Sequence, residues 1–147
     1  VEIGGFVPYI KVTPPPEEIE KTITFHADFY IKLMERLAEL KIKETKVELI
    51  EKDLYRVTVY FTNPGWFPTS TAQGRRAGTS WPIRVKLETI EGQTIFSGQP
   101  VETIPFIEGS GGTEKLEWVI RGKKDSKIRI TASSPKIGSV SAIIVLK

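Results

Sequence analysis

From Lys43 onward apolar residues fall at every second position, and this alternation constrains the fold more than any other feature of the chain. Tyr55, Val57, Val59 and Phe61 alternate with Arg56, Thr58, Tyr60 and Thr62, and Ile83, Val85 and Leu87 alternate with Arg84, Lys86 and Glu88. A period of two sends the apolar set to one face of a strand and the polar set to the other. Val47 and Leu49 open the series, and further strands are predicted over 94–97, 101–107, 115–121, 127–133 and 139–146. Turn chemistry separates them at Glu51-Lys52-Asp53, Asn63-Pro64-Gly65, Glu91-Gly92, the glycine-rich stretch 108–112, residues 122–126 and Ser134-Pro135-Lys136-Ile137-Gly138. Seven or eight short strands at this spacing predict a mainly β chain, an antiparallel sandwich of immunoglobulin or fibronectin type III kind. With no cysteine the Cys-Trp-Cys signature of antibody domains is missing, which favours the second kind.

Before the alternation the period is helical. Ile19, Ile23, Ala27, Tyr30, Met34, Leu37 and Leu40 recur every three or four residues, predicting one amphipathic helix over 14–41. Pro14, Pro15 and Pro16 suit its first turn, Thr13 is the expected N-cap, and Glu17 and Glu18 complement the positive end of the dipole. Phe25, Phe29 and Ile31 lie off the stripe and widen the apolar surface. A helix greasy on two sides is expected to lie between two bodies.

Composition excludes several classes. At 147 residues the chain is the size of one ordinary domain with a short appendage, and no apolar run is long enough to cross a bilayer as a helix. The net charge of +3 comes from 21 basic and 18 acidic residues that are interleaved, so no clustered basic face argues for nucleic acid. The densest basic run, Arg121, Lys123, Lys124, Lys127 and Arg129, contains Asp125 and reads as a solvated turn. Without cysteine there is neither a disulfide framework nor a thiolate metal site, and the compartment stays open.

The phrases Val1-Glu2-Ile3-Gly4-Gly5-Phe6, Thr13-Pro14-Pro15-Pro16 and Asn63-Pro64-Gly65-Trp66-Phe67-Pro68-Thr69, with the helix and the sandwich pattern, resemble the C-terminal region of bacterial zinc carboxypeptidases related to carboxypeptidase A. The resemblance implies that residues 1–42 are the tail of a preceding peptidase domain with its connecting helix, and that 43–147 form a β-sandwich accessory domain. It implies further that the catalytic part lies upstream of Val1. The parent would be a zinc-dependent hydrolase of C-terminal peptide residues, located in the periplasm, outside the cell or on its surface. No zinc ligand of that family maps onto this chain, so zinc is expected in the parent and no cofactor here.

The residues agree with that expectation. A catalytic zinc of this type needs two imidazoles, a carboxylate and an open position, and the chain has one histidine, His26, followed by Ala27, Asp28 and Phe29 rather than by the His-x-x-Glu spacing. Ser133, Ser134, Ser139 and Ser141 have only that imidazole as a candidate base and read as strand-end and turn residues. Glu17-Glu18 is a helix start rather than a glycosidase pair. Gly109-Ser110-Gly111-Gly112 lacks the Lys-Ser/Thr ending of a phosphate loop.

The stretch between Trp66 and Trp81 is where a function of the chain's own is expected. Trp66, Phe67, Arg75, Arg76 and Trp81 punctuate a long loop with two glycines, and aromatics with arginines in such a loop make a recognition surface. Three roles follow: interdomain contact or core cover at the end of the sandwich in an accessory domain; a module gripping a carbohydrate, peptide or protein by stacking on the tryptophans; or a structural adhesion or stalk domain.

Overall fold

The computed structural model describes residues 4, 5 and 15–147. The opening phrase, apart from Gly4 and Gly5, and the expected Thr13 cap with Pro14 lie outside the described residues. The chain divides after Arg36 into two units. In the first, helix α1 spans Pro16–Met34, with Pro15 at the N-cap, no side-chain cap, Glu17 and Glu18 in the first turn and Lys32 in the last. No residue of α1 is buried.

The helix ends well short of position 41, and packing supplies the reason. Leu40, expected on the helical stripe, is buried in the core of the sandwich, and Ile42 packs against that core. Lys41 already pairs with Thr62. A chain held in a β ladder at Lys41 cannot also complete a helical turn, so long-range pairing overrides local periodicity here.

The second unit is a β-sandwich of two four-stranded antiparallel sheets. One sheet runs β1 (Lys41–Glu51), β2 (Leu54–Asn63), β6 (Gly112–Arg121), β4 (Thr94–Ser97); the other runs β5 (Val101–Ile104), β3 (Ile83–Glu88), β7 (Lys127–Ser134), β8 (Gly138–Val145). Taking β1, β2, β6 and β4 as A, B, E and D, and β3, β7 and β8 as C, F and G, reproduces the immunoglobulin strand order, with β5 added outside C. Tyr55, Val57, Val59 and Phe61 are all buried, as the alternation requires, and they face Ile83, Val85 and Leu87 of the other sheet across one core. Trp118 on β6, opposite Val57, is the largest fully buried side chain.

Two expectations fail at the edges of the sheets. Leu49 alternates correctly but is 60% exposed, because β1 is an edge strand and its ladder slips between Leu49 and Glu51. The strand expected over 101–107 stops at Ile104, since Pro105 has no N–H to continue a ladder. Ile107 is nonetheless fully buried, and its carbonyl accepts from the Thr69 N–H while its own N–H donates to the Thr69 hydroxyl, in place of a strand partner.

The ends of the sandwich follow from this topology. The segment 37–40, the β2–β3 connection, the β5–β6 connection and the β7–β8 turn gather at one end; the β1–β2, β3–β4 and β6–β7 turns gather at the other.

Candidate functional site

The β2–β3 connection is organised by one side chain. Asn63, the last residue of β2, is fully buried and uses its amide four times. Its Nδ2 donates to the carbonyls of Phe67 (2.8 Å) and Glu108 (3.2 Å), and its Oδ1 accepts from the N–H groups of Glu39 (3.0 Å) and Gly65 (3.1 Å). A single amide thus ties the incoming chain, the aromatic loop and the β5–β6 connection together. Around it, Gly111 N–H donates to the Asn63 carbonyl and Ser110 N–H to that of Gly65. Thr69 Oγ1 accepts from Ile107 N–H at 2.8 Å. Gly109 lies so close to the Trp66 carbonyl that a β-carbon there would collide with backbone. The Asn63-to-Thr69 phrase is therefore a rigid knot, and Gly109 to Gly112 are part of what it binds.

Trp66 and Phe67 are displayed by that knot, at 62% and 45% exposure, so neither covers the core. The connection expected to be all loop also contains a short helix, α2 (Ala72–Arg76), whose Gly74 N–H is capped by Thr71 Oγ1 at 3.0 Å. Helix α2 fixes Arg75: its guanidinium stacks 3.8 Å from the centroid of the Phe106 ring and Nη1 donates to the Ser70 carbonyl at 3.0 Å. Arg75 is consequently a strut between the two connections, whereas Arg76 is exposed. Arg75→Met is expected to cost about 1–2 kcal/mol through the lost stacking and hydrogen bond, measured by denaturant unfolding.

Trp81, 58% exposed, closes the connection just before Pro82. It lines a cleft of about 380 Å³ together with Pro68 to Thr71, Gln73, Thr79, Ser80 and, from the β7–β8 turn, Lys136. Trp66, Phe67, Arg75 and Arg76 do not line it. The five residues singled out by sequence hence do three different things: Trp66 and Phe67 are displayed, Arg75 braces, and Trp81 belongs to a cleft. Asn63, Phe106 and Lys136 were not singled out. Asn63 offered a signal, being the sole asparagine of the chain in an Asn-Pro-Gly turn.

Among the described residues no three His, Cys, Asp or Glu side chains come together as metal ligands, and His26 lies on α1 with its ring 6.0 Å from that of Phe25. Glu88 is held below the usual carboxylate range by its hydrogen bond to Lys86 and by the charges of Lys86 and Arg129. Glu88 ends β3 at the opposite end of the sandwich from the aromatic loop.

No curated protein matches the chain. The profile of a domain of unknown function, DUF8731, matches residues 39–145. That span starts at the residue whose N–H Asn63 holds and ends with β8, so it coincides with the sandwich and its knot. The chain belongs to the DUF8731 family.

Proposed function

We propose that this chain is a non-catalytic accessory domain that docks on a neighbouring domain of its own polypeptide through the aromatic end of the sandwich. The observation that carries this reading is the Asn63 knot. It holds exposed Trp66 and Phe67 rigidly at the end where the segment 37–40 arrives, through the bond from Glu39 N–H. Interdomain contacts typically bury 600–1,500 Å², and displayed aromatics on a rigid frame are what anchors them. A zinc carboxypeptidase-like parent is the partner proposed, on the resemblance of the Asn63-to-Thr69 phrase and of the opening residues. The parent's zinc and catalytic residues would then lie outside this chain, which would orient the peptidase and support its folding.

The double variant W66A/F67A tests this. In the protein expressed with its upstream coding sequence, the variant is expected to separate one cooperative unfolding transition into two. Residues 37–147 alone should keep one cooperative transition in the variant, since both side chains are exposed and outside the core. A single unchanged transition in the longer protein contradicts docking.

A second reading, a ligand-binding module, is favoured by a separate observation: a cleft against Trp81 that does not involve Trp66 or Phe67. The two surfaces are compatible on one domain.

A further inference from the structure

We infer that the cleft beside Trp81 binds a saccharide bearing a carboxylate, a uronate-containing glycan; this deepens the binding-module reading and rests on it. The volume of about 380 Å³ lies near the lower end of small-molecule sites. That leaves room for one sugar ring and part of a second.

Three features select the ligand. The indole of Trp81 supplies a flat apolar wall, and the C–H face of a pyranose is the natural cover for an exposed ring of that kind. Pro82 restricts the Trp81 backbone to extended conformations, which narrows the directions in which the indole can be presented. Around the wall stand the Gln73 amide and the Thr79 and Ser80 hydroxyls. None of these three side chains hydrogen-bonds to another described residue. By contrast, the neighbouring Thr69 and Thr71 hydroxyls are spent on Ile107 N–H and Gly74 N–H. Unspent amide and hydroxyl groups beside an aromatic wall match a ligand that presents hydroxyls in a ring.

The third feature is charge. Among the described residues Lys136 is the only charged one lining the cleft, no carboxylate lines it, and the Lys136 ammonium forms no ion pair. A neutral sugar would leave that cation unused, whereas a uronate pairs with it through a charge-assisted hydrogen bond. A peptide carboxylate would satisfy Lys136 too, but it would leave the hydroxyl and amide rim of Gln73, Thr79 and Ser80 without the ring of hydroxyls that a saccharide presents. The saccharide satisfies the wall, the hydroxyl rim and the cation together.

The test titrates the full chain by calorimetry with tri-galacturonate, with neutral galactotriose and with acetate. Tri-galacturonate is expected to bind about tenfold more tightly than galactotriose, with acetate showing no measurable affinity. W81A should weaken both saccharides at least tenfold, and K136Q should remove the preference for the uronate, bringing the two trisaccharides to similar affinity. Trp81 and Lys136 are both exposed, so thermal unfolding of each variant is expected to match the parent and shows that the site, not the fold, was changed. Equal affinity for the two trisaccharides, unaffected by K136Q, would overturn the uronate inference and leave a neutral-sugar module. Saccharide binding lost in W66A but kept in W81A would overturn the cleft while sparing the module reading. Binding of neither trisaccharide to the folded chain would overturn both.

Discussion

Asn63→Ala is expected to lower the unfolding free energy by about 3–4 kcal/mol, more than any other replacement of a polar side chain in the protein. The size follows from the four bonds the amide makes. Truncation strands the N–H groups of Glu39 and Gly65 and the carbonyls of Phe67 and Glu108, partly or wholly away from water. Each stranded group costs on the order of 1 kcal/mol or more, and the void left by the amide adds to that. Thermal unfolding should show a midpoint roughly 10–15 °C lower. Asn63→Asp separates the halves of the network. It keeps an acceptor for Glu39 and Gly65 but turns a carboxylate toward the Phe67 and Glu108 carbonyls in place of two donors. Its loss should therefore be similar at neutral pH and shrink in acid, where the carboxyl is protonated and can donate once. A change under 1 kcal/mol in Asn63→Ala would mean that the knot is not what positions the aromatic loop.

Trp118→Ala is the second large effect, about 3–5 kcal/mol, the range for truncating a buried aromatic. Trp118 is fully buried, its indole N–H donates to the Gln99 carbonyl at 2.9 Å, and Gly98 lies against its ring. This is where the chain crosses from one sheet to the other, between β4 and β5. Gly98 has φ +91, and a β-carbon there would stand 2.5 Å from Trp118 Cδ1. Gly98→Ala therefore meets both a backbone that L side chains rarely adopt and a clash with a ring that cannot retreat, for roughly 2–4 kcal/mol. Trp118→Phe keeps most of the packing and loses the hydrogen bond, for about 1–2 kcal/mol. Denaturant unfolding of the three variants should rank them in that order, with Trp118→Ala the weakest. A neutral Gly98→Ala would contradict the crossover geometry.

The sandwich was legible because its strands obey a period that packing reinforces. In β2 and β3 the alternating residues Tyr55, Val57, Val59, Phe61, Ile83, Val85 and Leu87 are buried, and the turns fall where glycine, asparagine, proline and aspartate stand. Asp53 and Asp125, both in such turns, do take the left-handed backbone that those turns need. Legibility failed where a residue's fate was set by a distant partner. Leu40 carries helical spacing but belongs to a core that only the folded sheets create. Trp118 alternates with Leu116 and Ile120 in a strand, whereas Trp66 and Trp81 stand in a connection with no period to follow, so their exposure is decided by the fold around them. The same holds for the candidate site. Aromatics and arginines drew attention to the β2–β3 connection, but Arg75 is taken by Phe106, some thirty positions away, and among the described residues the cation lining the cleft comes from the β7–β8 turn. A loop sequence names the side chains on offer; which of them the fold leaves unspent is decided by residues elsewhere in the chain.

The accessory-domain account is tested most directly by the coding sequence upstream of Val1. It predicts a reading frame continuous with this chain that encodes a His-x-x-Glu pair, a distant second histidine and a later glutamate, the parts a peptidase zinc site requires and this chain lacks. A frame that opens at or just before Val1, or one that continues into a region without those residues, would contradict it.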